Sequence, residues 1–191
     1  MDNPFDGTAQ SAYQRSGIEA VVSAVGGEME VMNSIKFRSN EIPDGIHIKD
    51  WKFYQDILDA DVVINVPIAK HHGTTGLTLG CKNMMGTILN REQIHSKIDQ
   101  RIADIVSRVH PALTVIDGVR TLMRNGPTGG NLDDVKLSNT VIASADVVAA
   151  DSFATTLFGK TGSDIGYIRA AAAMGLGTMD LDSIKIEEIS L

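Results

Sequence analysis

Lysine, histidine and glycine residues that could bind and protonate an anion are concentrated in one segment of the chain, Lys70 to Gly86. Its small residues leave backbone N–H groups free to approach an anion, and Lys70 and Lys82 could supply positive charge. A histidine here could act as a general acid or base, because its ordinary pKa lies near neutrality. The alternative is a solvated glycine-rich turn with ordinary surface charges. Because the segment directly follows a buried apolar run, the functional interpretation is favoured.

A metal site could be assembled from His71, His72, Cys81 and His95. Their spacing matches no standard ligand pattern, and Cys81 close to Leu79 is more typical of a packed thiol, so we predict no metal ligands. A single cysteine also excludes an internal disulfide and an iron–sulfur cluster held by this chain's cysteines alone. The cofactor is therefore unknown, and a cluster would have to come from a partner or from a segment outside this chain.

Acidic and amide side chains follow two other predicted strands, Leu113–Ile116 and Thr140–Ala143. Ligands of an open parallel sheet bind beyond the carboxyl ends of its strands, so we expect these loops beside Lys70 at one edge. Asp117 could orient a cation or a substrate hydroxyl, or form an ordinary Asp-Gly turn. Asp146 fits a helix N-cap better than a catalyst, and Asp151 needs a partner because its predicted helix is otherwise apolar.

The elements that position these residues are predicted from the apolar pattern. Val62–Val66, apolar on both faces, is typical of a central parallel strand. Helices are predicted for residues 18–25, 98–109, 147–158 and 165–174 and from Asp50 through Leu58, with an edge strand at 184–186. Residues 69–91 lack clear periodicity and are predicted to form a long functional loop. The alternation indicates an α/β fold, with a mostly parallel sheet flanked by helices in three layers.

Length and composition fit a single domain spanning residues 1–191, with 43% hydrophobic residues. A net charge of −7 argues against nucleic-acid and membrane partners, and an oligomer is compatible with the composition. The chain shows neither a membrane-spanning apolar run nor a start typical of a signal peptide, so we expect a cytoplasmic protein. Phosphate-loop, dinucleotide, serine-hydrolase and zinc-protease motifs are not matched.

The order of these motifs resembles the DUF362 family. Val66–Gly73 matches its Pro-x-x-Lys-x-His stretch, and Thr78–Gly86 matches its Lys-Asn-x-x-Gly motif. Further matches follow in order at Arg91 with His95, Ile102–Ile105, Val115–Gly118, Asn125–Pro127 with Gly129, Ala143–Asp146 and Val148–Asp151. The similarity covers roughly Asp2 to Gly177. His72 falls on the family's histidine, whereas Cys81 departs from the small residue that is common there.

The resemblance implies a domain of unknown function whose relatives are often linked to ferredoxin-like iron–sulfur modules. It also begins inside the family's domain, since the usual opening strand and Lys-Pro-Asn segment have no counterpart before Asp2. We therefore expect a sheet that lacks its N-terminal strand.

These observations predict an enzyme or enzyme domain that binds a small anionic molecule at the strand ends. The candidate catalytic residues are His72, Lys82 and Asp117. The candidate ligand-binding residues are Lys70, Thr75, Gly76, Asn83, Arg91, Asn125, Gly126 and Asp146. The alternative is a non-catalytic module that docks a ferredoxin-type iron–sulfur partner.

Overall fold

The computed structural model describes residues 7–190, and its central element is a long strand, β6 (Leu113–Leu122). Two short strands, β3 (Ile64–Asn65) and β4 (Ile68–His72), run parallel to β6 one after the other. Strand β7 (Val135–Ser144) pairs antiparallel along nearly the whole of β6, so β3 and β4 share its other edge. Strand β5 (Gly76–Thr78) lies antiparallel on β4 and completes a mixed sheet.

Helices pack against one face of this sheet, which confirms the α/β fold, but within residues 7–190 the second face stays exposed, so the expected three layers are not formed there. The helices are α4 (Gly80–Asn83), α5 (Ile98–Val109), α6 (Val147–Ala154) and α7 (Gly166–Ala173). Helix α5 has the bounds that its apolar spacing predicts, and it buries one stripe of aliphatic side chains. Helix α6 begins at the predicted N-cap, because Oδ1 of Asp146 accepts a hydrogen bond of 2.8 Å from the backbone N–H of Ala149.

The N-terminal part of the described chain forms a separate two-stranded sheet with short helices. It contains α1 (Ala9–Ser16), α2 (Ile18–Ala24), β1 (Phe37–Glu41), β2 (Asp50–Tyr54) and α3 (Gln55–Asp59). The helix predicted from Asp50 through Leu58 is wrong in its first part, since residues 50–54 pair antiparallel with β1 and bury Phe53 and Tyr54, whereas α3 is helical from Gln55. Spacing of apolar residues within one short segment cannot reveal a pairing partner that lies elsewhere in the chain.

Three other sequence expectations are corrected by the topology. Residues 69–91 form the β4–β5 hairpin, α4 and short 3₁₀ turns rather than a long loop. Because β7 is antiparallel to β6, its carboxyl end lies at the opposite end of β6, so the loop at Asp146 does not join the loop after Leu122 at one edge. Residues 184–186 form no strand. The expected absence of a leading strand concerns the chain around Asp2, which lies outside the described residues.

The second face of the sheet carries β-branched side chains that remain exposed. Along the edge formed by β3 and β4, Ile64 is 56% exposed and Val66 is 62% exposed. We call this surface the open face; its residues are Val62, Ile64, Val66, Ile68, Val115, Asp117, Val119 and Val141. The run of apolar residues at 62–66 therefore supplies one covered face and one face that solvent reaches.

Candidate functional site

The β4–β5 hairpin presents three consecutive basic residues at the end of the sheet. Cross-strand pairs place Lys70 opposite Thr78, His71 opposite Leu77 and His72 opposite Gly76. Gly76 takes a φ of 77°, a left-handed conformation that glycine adopts without strain, and this lets the chain reverse directly after the histidines. The tight turn holds Lys70 and both histidines on one short strand.

His72 is held as a neutral imidazole that can donate through Nε2. Its Nδ1 accepts hydrogen bonds from the backbone N–H groups of Thr74, at 3.2 Å, and Thr75, at 3.4 Å. Burial lowers the pKa of His72 to about 4, and the nearby charges of Lys82, His95, His71 and Lys70 add to this effect. At neutral pH this side chain therefore serves as a hydrogen-bond donor and carries no positive charge.

Lys82 is the most unusual side chain of the group, because it is a buried lysine with no acidic partner among residues 7–190. It lies on α4, is 7% exposed, and its Nζ donates to Sδ of Met85 at 3.3 Å. None of the ion pairs formed among residues 7–190 includes it. Burial lowers its pKa to about 8, and the positive charges of Lys70 and Arg91 lower it further in the same direction.

The short helix that carries Lys82 is fixed by a buried carboxylate from α6. Asp151 accepts hydrogen bonds from the backbone N–H groups of Gly80, at 2.6 Å, and Cys81, at 2.9 Å. Position 80 has no room for a side chain, since a Cβ there would lie 2.7 Å from Oδ1 of Asp151. Burial raises the pKa of Asp151 to about 7. The partner that Asp151 was expected to need is therefore the start of α4.

A second set of contacts joins the loop after β6 to the hairpin. The backbone N–H of Gly126 donates to Nδ1 of His71 at 3.1 Å, and the carbonyl of Gly126 accepts from the N–H of Gly73 at 3.2 Å. Asn125 points its amide at Asp134, at 2.7 Å, and Arg124 pairs with the same buried carboxylate. Gly126 thus lies against the basic strand, while Asn125 helps to anchor the loop.

The structure brings several of the predicted residues together. We name this group the cationic cluster: Lys70, His71, His72, Lys82, Arg91 and His95, each of which influences the pKa of His72 or Lys82. No carboxylate within residues 7–190 is among the groups that shift either pKa. His71 and His95 were not predicted as ligand-binding residues, although His71 stands between Lys70 and His72 and His95 follows Arg91 by four positions.

Four other predicted residues have polar contacts within the fold. Oγ1 of Thr75 donates to the carbonyl of Leu77, and the amide of Asn83 donates to Oδ1 of Asn65. Asp146 uses both oxygens, one on Ala149 and one on the N–H of Thr178. Asp117 lies within β6 on the open face, where it accepts from the N–H of Val119, and α4 with Lys82 packs on the opposite face. Asp117 is not part of the cationic cluster.

One polar group near the cluster, the hydroxyl of Thr78, is not among the predicted site residues. Oγ1 of Thr78 is buried without a hydrogen-bond partner in the described part of the chain, and Thr78 stands opposite Lys70 in the hairpin. A buried hydroxyl without a partner is costly, so it identifies a place where a bound group would be favoured. Nothing in the local sequence distinguishes this threonine from its neighbours.

Thiol and metal chemistry depend on the surroundings of Cys81 and on how the possible metal ligands are grouped. Cys81 is fully buried, and burial next to Asp151 raises the pKa of its thiol. Within residues 7–190, no three histidine, cysteine, aspartate or glutamate side chains are grouped so that they could hold a metal ion. The prediction that the chain binds no metal of its own stays a prediction. In the same range, no helix has the length and apolar character needed to cross a bilayer.

Fold and site together define an α/β protein with a partly buried cationic cluster at one end of a mixed sheet. Residues 1–156 match the model of DUF362, a domain of unknown function, and the chain belongs to this family. The chain is also 24% identical over 185 residues to the thylakoid-associated protein sll1697 of Synechocystis sp.. That match includes 92% of this chain but only 55% of the relative, so the chain spans about half of its length. No solved structure matches the chain.

Proposed function

We propose that the cationic cluster binds a small molecule carrying a carboxylate or phosphate group, as the binding site of an enzyme domain. The observation that carries this proposal is Lys82, which is 7% exposed and has no carboxylate partner within the described residues. A buried charge that lacks a protein partner is costly, and an anionic ligand would supply the missing partner.

The other members of the cluster fit the same ligand. Lys70 and Arg91 add positive charge close to Lys82, and neutral His72 offers an N–H donor that does not depend on pH near neutrality. Thr78 adds an unpartnered hydroxyl. Against a chain of net charge −7, this local positive patch would also attract anions into the site.

Lys82 is the strongest candidate for acid–base chemistry. A group whose pKa is about 8 can both donate and accept a proton near neutral pH, as general acid–base catalysis requires. His72, with a pKa of about 4, is better suited to hold the ligand than to exchange protons, so we reverse the emphasis that the sequence placed on it. Asp117 and Asp146 are not needed for this proposal.

Calorimetric titration of the purified chain with phosphorylated and carboxylated compounds tests this function. We expect at least one compound to bind in the micromolar to millimolar range, and Lys82→Met to abolish that binding. Lys160→Met is the matched control, because Lys160 is an exposed lysine away from the cluster. Binding that is equally strong in Lys82→Met would overturn the proposal.

Location and iron–sulfur association remain separate proposals. The name of the cyanobacterial relative describes that protein as associated with thylakoids, and cytoplasmic location of this chain stays a prediction. Docking of a ferredoxin-type partner likewise stays a prediction, tested by whether a reduced ferredoxin binds the purified chain. The cationic cluster is the surface on which such an acidic partner would compete with small anions.

A further inference from the structure

The described part of this chain exposes two apolar surfaces on regular elements, one on a sheet and one on a helix. The first is the open face of the sheet, where Val62, Ile64, Val66 and Val141 are each 56–62% exposed. The second is the stripe on helix α2, where Ile18 is 50%, Val21 is 68% and, just beyond its end, Val25 is 82% exposed. A flat sheet face and an amphipathic helix are the two surfaces that pack together in α/β layers.

The residue pattern along the strands of the open face is typical of a sheet that is covered on both sides. Strands covered on both faces read as continuous β-branched runs, whereas half-exposed strands alternate apolar and polar residues. Residues 62–66 form such a run apart from Asn65: Val63 and Asn65 point to the covered side, and Val62, Ile64 and Val66 to the open one. Solvent contact along this run indicates that a covering element is missing from the isolated chain.

Helix α2 also carries apolar side chains that are exposed to solvent. No α2 residue is buried, and in the described part of the chain its chief packing partner is α1. Its spacing at positions 18, 21 and 25 nevertheless forms a stripe of the kind that faces a core. Helix and sheet face lie in the same chain but do not meet within it.

We propose that α2 of a second copy of this chain packs on the open face, in a reciprocal two-fold dimer. Each copy would then contribute one helix and one sheet face, so a single symmetric arrangement covers both surfaces. Asp117 lies among the apolar side chains of the open face, and exposed Arg15, in the last turn of α1 and three residues before Ile18, is a cation that the partner copy would bring to it.

The area agrees with this assignment. The exposed side chains of the open face and α2 amount to an apolar surface on the order of 600 Å² per copy, taking side-chain areas implied by transfer energies. A standard interface buries about 800 Å² per partner, of which somewhat more than half is apolar.

Sedimentation velocity over a dilution series tests the dimer. We expect the wild-type chain to dimerise, and Val66→Lys and Val21→Lys each to weaken the dimer by about tenfold or more, since each places a charge in an apolar contact. Leu132→Lys is the control, because Leu132 is 87% exposed and belongs to neither surface. Circular dichroism of each variant verifies that the monomer still folds.

Cross-linking distinguishes this arrangement from others. Cys81 is fully buried, so an introduced surface cysteine is the reactive thiol. Mixing Val21→Cys protein with Val66→Cys protein should give a disulfide-linked heterodimer, and neither variant alone should cross-link to a comparable extent. A wild-type monomer at all concentrations would overturn the proposal and assign the open face to another chain or segment. Efficient disulfide formation between two copies of the Val66→Cys protein would overturn it in favour of sheet-on-sheet packing.

Discussion

Oδ1 of Asp151 lies 2.6 Å from the backbone nitrogen of Gly80, although the two residues are 71 positions apart in the chain. This contact joins α6 to the first turn of α4, two positions before Lys82. The position of the buried lysine therefore depends on a buried carboxylate whose pKa is raised to about 7 by burial. Protonation of Asp151 and placement of Lys82 are linked through one short helix.

The first prediction concerns the pH dependence of stability. Because the pKa of Asp151 is raised from 3.8 to about 7 on folding, its contribution to the free energy of unfolding is present at low pH and is lost as the pH rises from about 4 to 7. The free energy of unfolding should change by at most about 1.4 kcal/mol per pH unit through this one group. Urea unfolding of wild-type protein and Asp151→Asn at pH 5 and pH 7 measures it.

The amide variant cannot ionise, so its stability relative to the wild type should rise between these two pH values. Comparison with the variant cancels the opposite contribution of His72, whose pKa is lowered from 6.5 to about 4 on folding. A constant difference between the two proteins would show that Asp151 keeps an ordinary pKa.

The second prediction is that Lys82 lowers stability in exchange for binding. Its folded pKa of about 8 lies below the ordinary 10.5, so the folded protein is penalised wherever the amine must be charged, below about pH 8. Lys82→Met removes this buried charge and retains the length of the side chain. We expect a gain of about 1 kcal/mol in the free energy of unfolding at pH 7, together with loss of anion binding.

Thermal or urea unfolding measures the gain, with Lys160→Met as the exposed control. Loss of stability in Lys82→Met would mean that the lysine already has a stabilising partner.

The third prediction concerns protons taken up with the ligand. Sulfate is a suitable probe because its charge is constant between pH 6 and pH 9. Bound sulfate would favour the charged form of Lys82, so binding at pH 8 should be accompanied by proton uptake, and the affinity should fall as the pH rises above about 8. Calorimetry in two buffers of different ionisation enthalpy measures the number of protons; an identical enthalpy in both would contradict it.

The fourth prediction uses His72 as a reporter of the cluster. NMR titration of its ring should give a pKa near 4 in the free protein. Sulfate, or Lys82→Met, should raise that pKa, because each offsets or removes positive charge close to the ring. If neither treatment moves the resonance, His72 and Lys82 do not share an electrostatic environment.

The fifth prediction tests the loop that lies against the hairpin. A Cβ on Gly126 would overlap the carbonyl of His71, so Gly126→Ala should displace the loop, weaken anion binding and cost about 2 kcal/mol of stability. Gly73→Ala is the matched control, since the nearest heavy atom to a Cβ there lies 3.9 Å away. Equal behaviour of both variants, measured by unfolding and calorimetry, would exclude a role for the close contact.

Local features explain why part of the fold was predictable. The bounds of α5, the N-cap at Asp146 and the end of the following helical segment at Gly159 depend on apolar spacing and on side chains within one or two turns. The strand at Asp50 and the antiparallel direction of β7 depend on pairing with distant segments, which local spacing does not encode. Asp117 was misplaced for the same reason: the local sequence predicts that the strand ends before Asp117, whereas pairing with β7 extends the strand through it.

The candidate site divides in the same way. The sequence by itself determined which residues could bind an anion, because Lys70, His72 and Lys82 lie close together in the chain and carry the required chemistry. Tertiary structure alone decided their properties. Burial and mutual repulsion made Lys82 the titrating group and left His72 neutral, and Asp151 fixed the helix that carries Lys82. Electrostatic energies depend on distance and solvent exposure in space, and neither quantity exists until the chain has folded.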